Sequence, residues 1–185
     1  MKIIIAAAAA ASALALAGTA SAQVYGTIGY SYYDTQTINL GGPTARIGWK
    51  SPTPLGLELE GSIGTDKDTT GKIGPDVVRV QLQNQWAGYV TATGKIGDSF
   101  EAFARVGYGS TSLKASSTAT SLTTTPFTFH DTFDSWNMGV GGQFVYDGVN
   151  GIRFEYTRMH FTDDGIDDSN TYTISYVRKF GMPAK

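Results

Sequence analysis

From residue 24 to residue 180 the chain alternates apolar residues with polar or small ones. A period of two sends successive side chains to opposite faces of a strand, and eight segments carry it. In 24–33, Val24, Ile28, Tyr30 and Tyr32 oppose Thr27, Gly29 and Ser31. In 44–50, Ala45, Ile47 and Trp49 oppose Arg46, Gly48 and Lys50. In 55–64, Leu57, Leu59 and Ile63 oppose Glu58, Glu60 and Ser62. In 80–93, Leu82, Trp86, Val90 and Ala92 oppose Gln83, Gln85, Thr91 and Thr93, with Asn84 on the apolar side. In 100–110, Phe100, Ala102, Ala104, Val106 and Tyr108 oppose Glu101, Phe103, Arg105 and Gly107. In 134–147, Trp136, Met138, Val140, Phe144 and Tyr146 oppose Asn137, Gly139, Gly141 and Gln143. In 151–160, Ile152, Phe154 and Tyr156 oppose Arg153, Glu155 and Thr157. In 171–180, Tyr172, Ile174, Tyr176 and Phe180 oppose Thr173, Ser175 and Lys179.

The links between these segments alternate in length. Residues 34–43, 65–79, 111–132 and 161–170 are long links, whereas 51–54, 94–99 and 148–150 are short. Long, short, long, short is the rhythm of an up-and-down barrel in an outer membrane, with short turns and both termini on the periplasmic side. The expected fold is therefore all-β, an eight-stranded antiparallel up-and-down transmembrane β-barrel. Residues 77–83 also alternate and would extend the fourth strand beyond the bilayer.

Alternation alone does not say which face is inside, since a soluble ligand-binding barrel turns its apolar face inward. The apolar face here is rich in Tyr, Trp and Phe towards the strand ends, which suits aromatic girdles at two lipid interfaces. The opposite face carries Arg46, Glu58, Glu60, Glu101, Arg105, Arg153 and Glu155 among glycines. Such charges can pair across a narrow lumen. Composition agrees: 16% charged residues, 23 glycines, three Trp, ten Tyr and nine Phe. A net charge of −2 gives no basic excess for nucleic acid. With no cysteine, disulfide frameworks and cysteine metal sites are excluded.

Residues 1–22 have the form of a secretory signal peptide: a basic start, an apolar run from Ile3 to Ala17, and a small-residue site at Ala20-Ser21-Ala22 with cleavage before Gln23. The expected organisation is a signal at 1–22, a barrel at 23–180 and a short tail at 181–185. No apolar stretch after residue 22 is long enough for a membrane helix. A mature chain in a membrane must then cross it as a closed barrel.

The last strand, Tyr172-Thr173-Ile174-Ser175-Tyr176-Val177-Arg178-Lys179-Phe180, resembles the terminal assembly signal of the small eight-stranded outer-membrane barrel family of Gram-negative bacteria. That family includes the OmpA transmembrane domain, OmpX and the opacity-type proteins. Asn84-Gln85-Trp86-Ala87-Gly88-Tyr89 and Val106-Gly107-Tyr108 have the family's look as well. The resemblance implies that Tyr172, Ile174, Tyr176 and Phe180 are read by the barrel-assembly machinery, with periplasmic chaperones during biogenesis. It implies contact with outer-membrane lipid and lipopolysaccharide, and an extracellular partner met through surface loops. Members usually end on the final aromatic, whereas here five residues follow it.

Candidate chemistry is sparse. His160 and Thr162 have the two-residue spacing of the His and Ser in the lipid A deacylase family, another eight-stranded barrel. Here Thr replaces Ser, and no Glu follows Glu155 to orient the imidazole. The expected reading is a surface histidine beside a solvated loop. Asp163, Asp164, Asp167 and Asp168 place four carboxylates in six residues, but not at the spacing of an EF-hand loop. A solvated charge run is expected, with no metal site. The Ser/Thr-rich stretch 110–128 reads as a mobile loop, uncharged apart from Lys114.

The expectation is a monomeric outer-membrane barrel without cofactor or enzymatic activity, structural or interactive in role. A narrow pore for ions or small solutes is the alternative, since glycines on or near the strands leave room for gaps. A deacylase-type enzyme and a soluble periplasmic barrel for an apolar ligand stand lower.

Overall fold

The computed structural model describes residues 23–35, 39–65, 67–73, 76–118, 128–163 and 167–180, with backbone alone at 67–73, 76–78 and 117–118. The signal segment, with Ala20 and Ala22, and the tail 181–185 lie outside the described residues, while Gln23 opens the first strand. The strands are β1 (Gln23–Thr35), β2 (Asn39–Lys50), β3 (Leu55–Ile63), β4 (Lys67–Ile73), β5 (Asp76–Lys95), β6 (Phe100–Thr118), β7 (Thr128–Val145), β8 (Asn150–Phe161) and β9 (Ser169–Phe180).

All pairings are antiparallel between neighbours, and β1 also pairs with β9, Gly29 facing Ser175. A β3–β5 pairing, with Glu60 facing Ala87, completes the circle. β4 pairs with the upper part of β5 on the same side as β3. β3 and β4 thus share one position, and nine strands build an eight-stranded barrel. Closure gives every neighbouring strand a partner, the condition for a sheet in hydrocarbon.

Ile28, Met138, Val140 and Phe154 are all more than half exposed on the outer face, where lipid covers them. The termini of the barrel and the links 51–54, 96–99 and 146–149 lie at one end. In the last of these, Gly148 takes a positive φ of 79° and the Asp147 carboxylate accepts from Asn150 Nδ2 at 2.6 Å and Val149 N at 2.9 Å. Those bonds, from Asn150 foremost, hold the Asp147 carboxyl below its ordinary range.

Two expectations need correction. Three of the four long links are largely strand, 161–170 being the exception. β4 and the start of β5 occupy most of 65–79, and β6 and β7 run to Thr118 and from Thr128, leaving 119–127 outside the described residues. Thr, being β-branched, suits a half-exposed strand, so a Ser/Thr-rich composition hid the strands. β5, β6 and β7 reach 20, 19 and 18 residues, against the ~9–11 a bilayer needs. They rise as a sheet on one side of the mouth, because β8 accompanies β7 only as far as Ser135 facing Phe161.

The second correction is the phase of β5. Its register with β6 slips between Leu82 and Asn84. An extra residue at a bulge reverses the alternation. Trp86 and Val90 face lipid, but Leu82 points inward and is 1% exposed, while Gln83 is exposed. Above the bulge, Val80 and Leu82 join Tyr33, Leu40, Met159 and Phe161 in a small apolar core inside the barrel.

Candidate functional site

The inner face of the middle third carries the charges. Residues two apart on a strand share a face, so Glu58 and Glu60 project inward from β3, and Arg153, Glu155 and Thr157 from β8. Arg46 on β2 faces Glu60 in the ladder, and Arg105 on β6 faces Gly139.

Three arginines and three glutamates form one network. Arg46 Nε lies 2.5 Å from Glu60 Oε2, and its Nη2 lies 3.0 Å from Glu155 Oε1. Arg105 Nη1 bonds Glu60 at 2.8 Å and approaches Glu58 at 3.5 Å, and its Nη2 pairs with Glu155. Arg153 Nη1 bonds Glu58 Oε1 at 2.6 Å, while its Nη2 bonds Glu155 Oε2 at 2.8 Å. Tyr25 donates its hydroxyl to Glu58, and Arg105 Nη2 donates to Thr157 Oγ1 at 2.8 Å. All six charged side chains are at most 3% exposed.

Glu101 stands apart from the other six. It sits nearer the periplasmic end, 2.9 Å from Lys179 Nζ and 3.4 Å from Lys50 Nζ, and accepts from Gln143 Nε2 at 2.7 Å. The seven charges read from sequence as one set therefore divide into a neutral six-membered centre and a lower Lys–Glu–Lys cluster. Lys50 and Lys179 were legible as inward residues but not as partners of Glu101.

Aromatic rings pack against the network, at glycines whose number suggested gaps. The Arg105 guanidinium lies 3.8 Å from the centroid of the Tyr89 ring, and that of Arg153 lies 3.7 Å from the Phe103 ring. Each ring rests on a glycine of the neighbouring strand. A Cβ at Gly107 would come within 2.6 Å of Tyr89, and one at Gly141 within 2.4 Å of Phe103. Glycine is thus the space into which an aromatic packs. An eight-stranded barrel is just wide enough to be filled in this way.

On the outer wall, His160 Nδ1 lies 2.7 Å from Asp168 Oδ1, and Arg158 Nη2 lies 2.8 Å from Asp168 Oδ2. The hydrogen bond from Arg158, foremost, holds the Asp168 carboxyl below its ordinary range. The carboxylate missing from the sequence pattern is thus present as Asp168, which is engaged rather than simply solvated. Thr162 donates its hydroxyl to the Asp134 carbonyl at 3.1 Å, and no bond joins it to His160 among the described residues. Asp164 lies outside the described residues. Tyr172, Ile174, Tyr176 and Phe180 all face outward on β9, each 40% or more exposed.

A closed antiparallel eight-stranded barrel with a lipid-facing exterior and a polar, paired interior is an outer-membrane protein. The chain matches the model of the outer membrane protein beta-barrel domain family over residues 3–180 and belongs to that family. Similar solved structures share its fold at low identity. The attachment invasion locus protein Ail of Yersinia pestis, solved with the heparin analogue sucrose octasulfate, is 13% identical, with 86% of this chain and 99% of that one covered and a TM-score of 0.60. A major outer membrane protein of Thermus thermophilus is 12% identical over 86% of this chain and 100% of that one, with a TM-score of 0.68. The N-terminal β-barrel domain of OprF from Pseudomonas aeruginosa is 11% identical over 86% and 98%, with a TM-score of 0.58. A comparison with curated protein sequences finds no match.

Proposed function

We propose that this outer-membrane barrel is a sealed structural element of the envelope that holds a raised outer sheet for contact with an extracellular partner. The observation that supports this reading is the neutral, buried Arg–Glu centre packed with Tyr89 and Phe103 inside the lumen. Charges so deeply buried are retained at a desolvation cost, and pairing is what offsets it. The height of β5–β7 above the bilayer supports the contact role, because it extends the surface available outside the cell.

The partner chemistry of Ail does not carry over on these residues. Among residues described with their side chains, the outer end holds Asp34, Asp131, Asp134, Asp163, Asp167 and Asp168 against Arg79, Lys114 and Arg158. An excess of carboxylates repels a sulfated ligand. No enzymatic role is proposed for the His160–Asp168 pair, because the Thr162 hydroxyl is turned to Asp134.

A deletion strain resupplied with the chain tests the reading. Resistance to a large antibiotic excluded by an intact outer membrane is expected to return, while uptake of a small hydrophilic solute stays the same with and without the chain. Uptake that rises with the chain would favour the narrow pore.

A further inference from the structure

Above the charged centre, the bulged part of β5 turns the lumen apolar. We propose that the outer mouth of the barrel is a binding cup for a small uncharged aromatic molecule carrying one hydrogen-bonding group. The cup has a volume of about 330 Å³. That lies at the lower end of the ~300–1,000 Å³ usual for small-molecule sites.

Its floor is Tyr33, Leu82 and Met159, of which Leu82 and Met159 are each 1% exposed. The floor is closed from below by polar bonds. Tyr33 donates to Gln85 Oε1 at 2.5 Å, and Met159 Sδ accepts from Gln85 Nε2 at 3.7 Å and Thr171 Oγ1 at 3.4 Å. The cup is therefore separated from the Arg–Glu network. Leu40, Val80 and Leu113 supply aliphatic wall, and Phe129, Phe133 and Phe161 supply rings. Aromatic walls and a thioether favour a flat aromatic guest through ring–ring and sulfur–ring contacts.

Thr111 is the lining residue a polar group on the guest would meet. It lines the cup, is 5% exposed, and its Oγ1 is buried with no partner among the described residues. A buried hydroxyl left without a partner is costly, and a guest that bonds to it removes that cost. Asp131 and Asp167 stand in the lining, and neither forms an ion pair among the described residues. Two carboxylates in the lining disfavour an anionic guest, which separates a neutral aromatic from an aromatic acid or a fatty acid.

The test uses 2-naphthol and the folded barrel in lipid nanodiscs, with methionine methyl groups labelled for NMR. Met159 reports the cup, and Met138, 62% exposed on the lipid face, reports partition into the bilayer. The expected result is a saturable shift at Met159 and only a proportional drift at Met138. Filling the mouth by Ala115→Trp, or by Leu113→Trp should that variant not fold, is expected to abolish the Met159 shift. Thr111→Val is expected to weaken 2-naphthol by about three- to tenfold and leave naphthalene unchanged. The 2-naphthoate anion is expected to bind more weakly than 2-naphthol. A Met159 shift that never saturates, or that survives the filled mouth at full affinity, overturns the cup. Equal effects of Thr111→Val on both probes overturn the role of the hydroxyl, and tight 2-naphthoate binding overturns the selection against anions.

Discussion

Arg153 Nη1 and Glu58 Oε1 stand 2.6 Å apart inside the barrel, although 95 positions separate them in the chain. Glu58 cannot relax into water when Arg153 is lost, because both are buried inside the barrel. Arg153→Ala is therefore expected to destabilise the barrel by about 3–5 kcal/mol, the cost of breaking a buried ion pair by removing one partner. Arg105→Ala should behave likewise, and neither change should abolish insertion. Urea unfolding in lipid vesicles checks this. Glu58→Gln combined with Arg153→Met should cost less than the sum of the two single changes, by ~0.5–3 kcal/mol of coupling. Unchanged stability in both alanine variants would contradict a paired interior.

The fit of Phe103 over Gly141 gives a second expectation. A side chain at Gly141 meets the ring at 2.4 Å and the Phe154 carbonyl at 2.5 Å, so neither neighbour can yield easily. Gly141→Val is expected to cost about 1–3 kcal/mol through overpacking. The temperature at which the folded band disappears from a heat-modifiability gel should fall. The same substitution at Gly88, whose Cβ would meet nothing within 4 Å, should leave that temperature unchanged.

Outside the bilayer, Asp168 links pH to the outer end of β8. Its carboxyl is held low by the bond from Arg158, so the contact is complete above the ordinary aspartate range. The contact is lost as pH falls through the lowered value, because protonation then removes the acceptor. NMR shifts of Asp168 and the Arg158 guanidinium should move together in that acid range, and Asp168→Asn should remove the transition. Purified lipopolysaccharide incubated with the folded protein should release no fatty acid. Release that disappears in His160→Ala would make the His160–Asp168 pair catalytic.

Phe180 faces outward at the seam, paired with Val24 across β1 and β9. If it serves assembly, Phe180→Ala should reduce the folded protein recovered from outer membranes several-fold. The unfolding midpoint of protein refolded without the assembly machinery should scarcely move. An equal loss in both measurements would make Phe180 a stability residue only.

Most of the barrel was legible because a bilayer enforces strict alternation. Arg46, Glu58, Glu60, Arg105, Arg153 and Glu155 stand on the polar phase of their strands, and each points inward. Four things were hidden for physical reasons. A bulge is a backbone event, and in Gln81-Leu82-Gln83-Asn84 the one sign of the reversal that turns Leu82 inward is the polar Asn84 on the apolar phase. Pairing depth depends on the stagger of the closed sheet, so period alone could not separate Glu101 from the other charges. Packing across the lumen is non-local, so the glycines suggested gaps where Tyr89 and Phe103 lie. The partnership of Asp168 with His160 joins positions eight apart through a link, beyond the reach of strand periodicity.

The central claim is that the lumen is filled. Planar-bilayer recording of the refolded protein, with heat-modifiable mobility proving that it is folded, tests it most directly. The wild-type barrel is expected to pass no discrete current steps, whereas Arg105→Ala combined with Tyr89→Ala should open a path. Regular steps from the folded wild-type protein would contradict a sealed barrel and make Glu58, Glu60 and Glu155 the lining of a pore.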